Sequence, residues 1–224
     1  MAKFDVEAAE GMRWVKVTLE NETVRTEKGI LNHFIGDISM DVPLPRPRDF
    51  VVSMVSQESP LRPRFQGTGE LFLESSLGGF HIMQITNDER WVLGNGAYWA
   101  SESDVKLTIF RERIMTSFWA GEGFFWYLTA VRGSGKIVLA CQGPVDEMKL
   151  QNGRMVVDGN YVIARTSGIK LSIRRPERSY ISHLLSGENY ARVYEGTGRL
   201  LMCTTPYWRF RFKGGELKDP IVAD

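Results

Sequence analysis

Histidines and cysteines are the side chains in this sequence that could support metal or general-base chemistry, so their spacing is the first question. The three histidines, His33, His81 and His183, are far apart along the chain. A histidine-based metal site typically needs closely spaced ligands with a nearby carboxylate. Few other side chains titrate near neutral pH. The sequence therefore predicts no metal site and no catalytic or cofactor-binding residue.

The two cysteines, Cys141 and Cys203, each lie near the end of a repeated apolar segment. The chain has no Cys-x-x-Cys pair to supply zinc ligands and too few cysteines for a disulfide framework. No Gly-x-Ser-x-Gly motif marks a serine nucleophile. We therefore predict two small buried thiols in a reducing compartment, and a protein that is not an enzyme.

A glycine motif recurs three times, at residues 67–73, 133–139 and 196–202. Each copy is Gly-[Thr/Ser]-Gly, then a charged residue, then three apolar residues. A phosphate-binding loop would need a helix after the glycines, and here strands follow. The motif instead predicts equivalent turns in Gly67–Gly69, Gly133–Gly135 and Gly196–Gly198, with positive φ at one or both glycines of each pair.

The glycine motifs belong to a longer repeat. Two strand-like segments recur with their sequence numbers offset by 67 and then by 64, and the second alternates apolar and polar residues in every copy. We expect a single all-β domain over residues 1–224, with repeats at about 12–80, 81–150 and 151–213 and a short polar C-terminal tail. A pseudo-threefold axis would shield sheet edges that a row of three units leaves open.

Within this repeat, the pattern of residues 12–20 predicts a strand, with a bulge or two buried faces at Trp14-Val15. Asn21-Glu22 is predicted to form a turn. Residues 49–56, 112–120 and 177–186 have mixed periodicity, and apolar residues in the second and third fit one helical face. We interpret all three as one or two turns of helix.

Residues 208–213 form the best candidate for a binding strand. Arg209, Arg211 and Lys213 alternate with Trp208, Phe210 and Phe212. Strands that bind nucleic acid usually expose aromatic and cationic residues on the same face. Here the two types fall on opposite faces, which favours a core-facing strand with a solvated outer face.

Net charge and hydropathy restrict the remaining classes of function and location. The formal net charge is +1, so no global field draws the chain to nucleic acid or to an acidic membrane. Every apolar run is too short for a membrane-spanning helix, which needs about 20 apolar residues in a row. The first residues include acids at Asp5, Glu7 and Glu10 rather than a signal-peptide core. We expect no membrane span and a soluble, cytoplasmic protein.

The order Gly-Glu-Gly, strand, Gly-x-Gly and apolar strand, clearest at residues 121–139 and 187–202, resembles the altered inheritance of mitochondria protein 24 family. That family is grouped with tryptophan RNA-binding attenuator protein-like folds. The resemblance covers about residues 12–213 and departs from the family pattern at Ser59-Pro60-Leu61. It implies an all-β protein of double-stranded β-helix type and brings no catalytic residues.

Two functions remain open. The first is a non-enzymatic β scaffold that binds protein partners or copies of itself, without a cofactor. The second is a nucleic-acid-binding module that uses residues 208–213, although fold analogy alone is a weak argument for it.

Overall fold

The structure, a computed structural model, describes residues 1–43, 62–76, 78–116, 124–158, 160–174 and 191–203. These residues form β-strands and no helix. The strands are β1 (Lys3–Ala9), β2 (Met12–Thr26), β3 (Leu31–Asp41), β4 (Arg64–Leu73), β5 (Gly79–Ile85), β6 (Trp91–Leu93), β7 (Tyr98–Glu102), β8 (Lys106–Thr116), β9 (Phe124–Arg132), β10 (Gly135–Cys141), β11 (Val145–Asp158), β12 (Val162–Thr166), β13 (Ile169–Arg174) and β14 (Ala191–Cys203).

The strands form two sheets. In the first the order is β3-β4-β2-β7-β10-β5, and β1 pairs with the first half of β2. In the second the order is β11-β14-β12-β6-β9-β8-β13, and β13 also pairs with β14. That extra pairing closes six strands into a circuit and leaves β11 outside it. Among the described strands, β8 and β13 are the parallel pair and all other pairs are antiparallel.

Strand β2 shows how the sequence builds this fold. Val15, Val17 and Leu19 are buried and the residues between them are more exposed, as period-two alternation predicts. The ladder with β1 runs without a bulge through Trp14, and the strand does not stop at Asn21. The predicted turn there is wrong: Asn21 is the extra residue of a bulge, with φ of 60°, and pairing with β4 resumes beyond it.

The predicted short helices need a second correction. Residues 112–116 belong to β8, and the ladder between β8 and β9 continues as far as Ile114 opposite Phe124. Tertiary pairing of the backbone therefore overrides a spacing that fits one helical face. The other two predicted helices, at residues 49–56 and 177–186, lie outside the described residues, as do residues 117–120.

The hydrophobic core connects the two sheets. One cluster joins Ile137 and Leu139 of β10, in the first sheet, to Trp91 of β6 and Leu201 of β14, in the second. All four side chains are at most 2% exposed. A second cluster lies around β2 and β4, and a third lies around β13 and β14. The apolar faces predicted from the alternating strands are thus buried against one another.

Candidate interaction surface

Two strand contacts join successive parts of the chain, and they share one register. β2 pairs with β7, and β6 pairs with β12. Residues 24–26 of the first contact correspond to 91–93 of the second, and 100–102 correspond to 164–166, which are the offsets of the sequence repeat. The opposing residues are Val24–Glu102, Arg25–Ser101 and Thr26–Ala100 in the first contact, and Trp91–Thr166, Val92–Arg165 and Leu93–Ala164 in the second.

A backbone hydrogen bond extends each contact by one step. The amide of Glu27 donates to the carbonyl of Trp99 at 2.8 Å, and the amide of Gly94 donates to the carbonyl of Ile163 at 2.8 Å. These two bonds are related by the same pair of offsets. Both contacts are shielded from solvent. Apart from Arg25, every paired residue in the two contacts is at most 9% exposed. The two contacts are therefore buried copies of one arrangement.

Each contact also contains one guanidinium group. Nη1 of Arg25 donates to the carbonyl of Val105 at 3.0 Å, and Nη1 of Arg165 donates to the carbonyl of Ile169. The two acceptors are 64 residues apart, which is an offset of the sequence repeat, so they occupy equivalent positions. Burial lowers the pKa of Arg25 below its usual range. Both internal contacts thus satisfy a desolvated cation with a backbone acceptor.

Several of the corresponding positions at the two ends of the chain are exposed, although Val157 is buried, at 6% exposure. Applying the offsets to the strand pairs places residues 33–35 of β3 opposite residues 155–157 of β11. β3 ends the first sheet and β11 ends the second, and neither pairs with the other in the described residues. Phe34 is 41% exposed, Ile35 is 60% exposed and Val156 is 54% exposed. Two strand edges therefore present apolar side chains at positions that are buried elsewhere in the chain.

Sequence reasoning missed this surface. Phe34, Ile35 and Val156 lie in ordinary strand patterns, and nothing in their residue types marks them as exposed. The signal that could have found them was the repeat itself. The two internal contacts are related by the offsets of the sequence repeat, and the same offsets lead to these positions on β3 and β11.

The Gly-x-Gly motifs have the positive φ angles that were predicted for them. In all three copies both glycines have φ between 119° and 155°. A Cβ on the first glycine would meet a backbone carbonyl oxygen at 2.0 Å for Gly67, 2.4 Å for Gly133 and 2.4 Å for Gly196. The oxygens belong to Asp37, Asp104 and Gly168, which the sequence places at equivalent positions.

The prediction of turns at these glycines is wrong for two copies. Gly67 and Gly69 lie inside β4, and Gly196 and Gly198 lie inside β14. The strand continues because the motif allows a neighbouring backbone to approach closely, rather than reversing the chain. In the middle copy, Gly135 begins β10.

The threonine hydroxyl groups of the first and third copies of the motif accept local hydrogen bonds. Thr68 Oγ1 accepts from the amide of Asn21 at 3.0 Å, and Thr197 Oγ1 accepts from the amide of Asn152 at 2.9 Å. Both asparagines have positive φ, 60° and 47°, at bulges in the adjoining strands. The threonines therefore cap bulges, which accounts for their place in the motif without an anion.

A buried ion pair lies inside the second sheet, and sequence reasoning missed it. Arg165 is 3% exposed and donates to Glu112, which is 8% exposed. Glu112 also accepts from the amide of Leu171 at 3.4 Å. Desolvation raises the pKa of Glu112, and the adjacent Arg165 acts against that rise. The lone charge in the apolar segment 161–166 was the available signal, but its partner lies 53 residues away.

The two cysteines line one cavity of about 240 Å³, together with Asn95, Gln142 and Asn160. Both are free thiols, and Cys141 is 8% and Cys203 2% exposed. Burial, and secondarily the nearby Cys203, raises the pKa of Cys141 to about 11. The prediction of two small buried residues is confirmed. A neutral thiol is a poor nucleophile, so this arrangement gives no sign of cysteine catalysis.

The histidines do not come together. His33 is exposed on β3 and stacks on Phe72 with ring centroids 4.4 Å apart. His81 lies in β5, where burial lowers its pKa. His183 lies outside the described residues. Within the described part of the chain, no group of three His, Cys, Asp or Glu residues is placed to hold a metal ion.

The candidate basic strand at residues 208–213, with Arg209, Arg211 and Lys213, also lies outside the described residues. No helix in the described part of the chain is long and apolar enough to cross a membrane.

The fold of this chain is found in a Streptococcus pyogenes protein whose X-ray crystal structure comes from a structural genomics consortium. The TM-score is 0.68 at 17% identity, over 95% of this chain and 97% of that one. An uncharacterised protein of S. pyogenes serotype M6 is 23% identical over 150 residues, or 66% of this chain. That match spans 60% of the relative's length.

The family comparison agrees with the resemblance seen in the sequence. The family described as Mitochondrial biogenesis AIM24 matches residues 4–205. This range includes both internal contacts, all three glycine motifs and the two exposed edges. The chain belongs to the Mitochondrial biogenesis AIM24 family.

Proposed function

We propose that this protein is a non-enzymatic β scaffold that binds other protein chains, copies of itself included, through the exposed edges of β3 and β11. The observation that carries the proposal is the exposure of Phe34, Ile35 and Val156 at positions whose counterparts are buried between strands. An open strand edge offers unpaired backbone groups to another chain. Apolar side chains on that edge add area that is buried on association.

The scaffold in this proposal consists of three repeated units. One backbone hydrogen bond, from an amide to a carbonyl, recurs in each unit. It joins Glu74 to Ile30 at 2.7 Å, Ala140 to Ala97 at 2.8 Å and Cys203 to Tyr161 at 2.8 Å, with the amide residue given first. A register shift also recurs at each of three strand pairs, β3–β4, β7–β10 and β12–β14. These repeated details support three copies of one supersecondary unit.

We further propose that the units surround a pseudo-threefold axis in the manner of a double-stranded β-helix. The cavity that holds both cysteines is lined by parts of all three units, which supports a common centre. β3 and β11 lie at the ends of different sheets. Among the described residues, the third unit therefore does not join the first by the backbone pairing that joins the other units, so the proposed arrangement about the axis is open on that side.

A non-enzymatic role agrees with the state of the polar groups described above. The threonine hydroxyls of the motif cap bulges, the buried Arg165 and Glu112 pair with each other, and Cys141 has a raised pKa. Each of these groups has a structural partner or is held neutral. The cytoplasmic location inferred from the sequence stays part of the proposal.

Nucleic-acid binding through residues 208–213 is the competing hypothesis, and no observation in the described residues favours it. It predicts an affinity that falls on Arg209→Ala plus Arg211→Ala. With a net charge of +1, binding that depends on a local patch should collapse between low and physiological salt.

Light scattering on the purified chain tests the proposal. Across protein concentrations from about 1 to 200 µM, a range in which weak contacts saturate, we expect the mass to rise above the 25.5 kDa of one chain. Ile35→Glu should hold the mass at one chain, because a charge on the edge opposes pairing. Val6→Glu, on the exposed part of β1, is the matched control and should leave association unchanged. A monomer at all concentrations that also captures no protein from its host would refute the proposal.

A further inference from the structure

We infer that copies of this chain associate head to tail, with β3 of one copy pairing with β11 of the next in a defined antiparallel register. The register places Met155 opposite Ile35, Val156 opposite Phe34 and Val157 opposite His33. This inference rests on the proposed function and specifies the partner and the geometry of the contact. It comes from carrying the two contacts inside the chain one step further.

The register proposed for β3 and β11 follows directly from the two contacts inside the chain. From the first contact to the second, residues 24–26 of one strand are replaced by 91–93, and residues 100–102 of its partner by 164–166. The next forward step of the repeat takes residues 91–93 to 155–157. The preceding step, in the opposite direction, takes residues 100–102 back to 33–35. Both target segments lie in described strands, and both are strands at the end of a sheet.

The backbone supports the same step. Glu27 donates to Trp99, and Gly94 donates to Ile163, at the margin of the two internal contacts. The equivalent bond between copies would join the amide of Asp158 to the carbonyl of Asn32. Three residue pairs and this hydrogen bond form a short ladder. The ladder has the same alignment in the two internal contacts and in the proposed contact between copies.

The side chains at the open ends suit a contact between separate chains. The central pair of each internal contact includes an arginine, Arg25 or Arg165, whose guanidinium needs a buried acceptor. The central pair of the proposed contact is Val156 and Phe34, which carry no charge. An apolar pair can be exposed in the free chain and buried in the assembly without leaving an unsatisfied cation.

The contact is directional, because β3 and β11 are different surfaces. Such heterologous contacts add copies until a ring closes, or continue as a filament if it does not. A symmetric dimer that pairs β3 with β3 would require a different register. The inference therefore predicts which residues of two copies meet, as well as the occurrence of self-association.

Disulfide trapping between two single variants tests the register. Phe34→Cys and Val156→Cys chains, labelled with different tags and mixed under mild oxidation, should form mixed disulfide dimers. Directly opposed residues of antiparallel strands have Cβ atoms about 4.5–5.5 Å apart, close to the separation in a disulfide. Neither variant alone should form a dimer at a comparable rate. Since the chains are separate, a disulfide within one chain cannot imitate the result.

Met40→Cys and Met148→Cys are matched controls, because these residues are exposed on the same strands at 56% and 42% but lie outside the register. We expect their mixed dimers to form at least about tenfold more slowly, since a disulfide tolerates only a narrow range of Cβ separations. Equal trapping of all combinations would overturn the register.

Light scattering separates the two ways of failing. If the unmodified chain self-associates but Phe34→Cys and Val156→Cys do not cross-link, the register is wrong and the proposed scaffold function stands. If the chain stays monomeric up to about 200 µM, a concentration at which weak contacts are already populated, head-to-tail association is refuted. Capture of an unrelated protein by that monomer would keep the scaffold function and still reject the inference.

Discussion

Substitution of Gly196 by alanine is the sharpest test of what the repeated glycines do. The glycine has φ of 135°, and a Cβ there would lie 2.4 Å from the carbonyl oxygen of Gly168 and 3.4 Å from Cα of Ile169. Both neighbours are backbone atoms, so no side chain can rotate away. Strand β14 is paired with β11 on one side and with β13 on the other. Because β14 is not an edge strand at this position, it cannot shift away to relieve the clash.

The expected loss of stability has two parts. Holding alanine at this φ costs about 1–3 kcal/mol, and forcing a methyl group into closely packed backbone costs about 1–3 kcal/mol more. We expect Gly196→Ala to lower the free energy of unfolding by about 4 kcal/mol, the sum of mid-range values for the two terms. For a chain of this size that corresponds to a fall in Tm of about 8–16 °C.

Gly29→Ala is the matched control. Gly29 also has positive φ, 81°, but a Cβ there meets nothing within 4 Å. This variant should lose only the backbone strain, about 1–2 kcal/mol. Chemical denaturation of both variants, read by fluorescence and by circular dichroism, gives the comparison when the two signals coincide. If Gly196→Ala is no less stable than Gly29→Ala, the close approach of strands is not the reason for the glycine.

Two further predictions concern the second sheet. Arg165→Met should destabilise the protein by about 3 kcal/mol at pH 7, because it leaves Glu112 buried and charged. The folded-state pKa of Glu112 is already raised, so the folded chain binds the proton more readily than the unfolded chain. Protonation of Glu112 therefore stabilises the folded state fully at pH values below 4.5, the ordinary pKa of glutamate. This stabilisation is lost as the pH rises through the pKa of the folded state. The loss in Arg165→Met should therefore shrink towards pH 4, and a deficit independent of pH, measured by denaturation, would contradict it. Deleting residues 177–224 should abolish cooperative thermal unfolding, because β14 pairs with β11, β12 and β13. A truncated chain that melts cooperatively near the full-length temperature would show that the units are independent domains.

The strands could be predicted where one face of the chain is buried. Val15, Val17 and Leu19 alternate because β2 packs one side on the core, and the offsets of the repeat predicted which strands would be equivalent. Positive φ at the glycines was also predictable. Their place inside strands was not, since the clash that requires glycine comes from another strand, as with the carbonyl oxygen of Asp37 beside Gly67.

Long-range pairing explains the errors. Residues 112–116 fit a helical face locally, and only the ladder with β9 decides that they extend β8. The partnership of Arg165 and Glu112 likewise depends on the second sheet bringing β12 and β8 together. A pattern within one segment has no information about which segment will lie beside it, so neither result could be reached from periodicity.

The position of a unit in the chain, rather than its residue pattern, decides which strands are left open. In the proposed arrangement, three units joined by one directional contact have two internal contacts and two open ends, unless the last unit pairs with the first. β3 and β11 are those ends, and they lie in different sheets. Proteins usually protect an open edge with charges, proline or a covering segment. The proposed register includes the exposed apolar residues Phe34, Ile35 and Val156, and the charged residues Asp37 and Arg154 of the two strands lie outside it. Two edges that are aligned with the internal contacts and apolar at the centre of one shared register are what the proposed head-to-tail contact between copies requires.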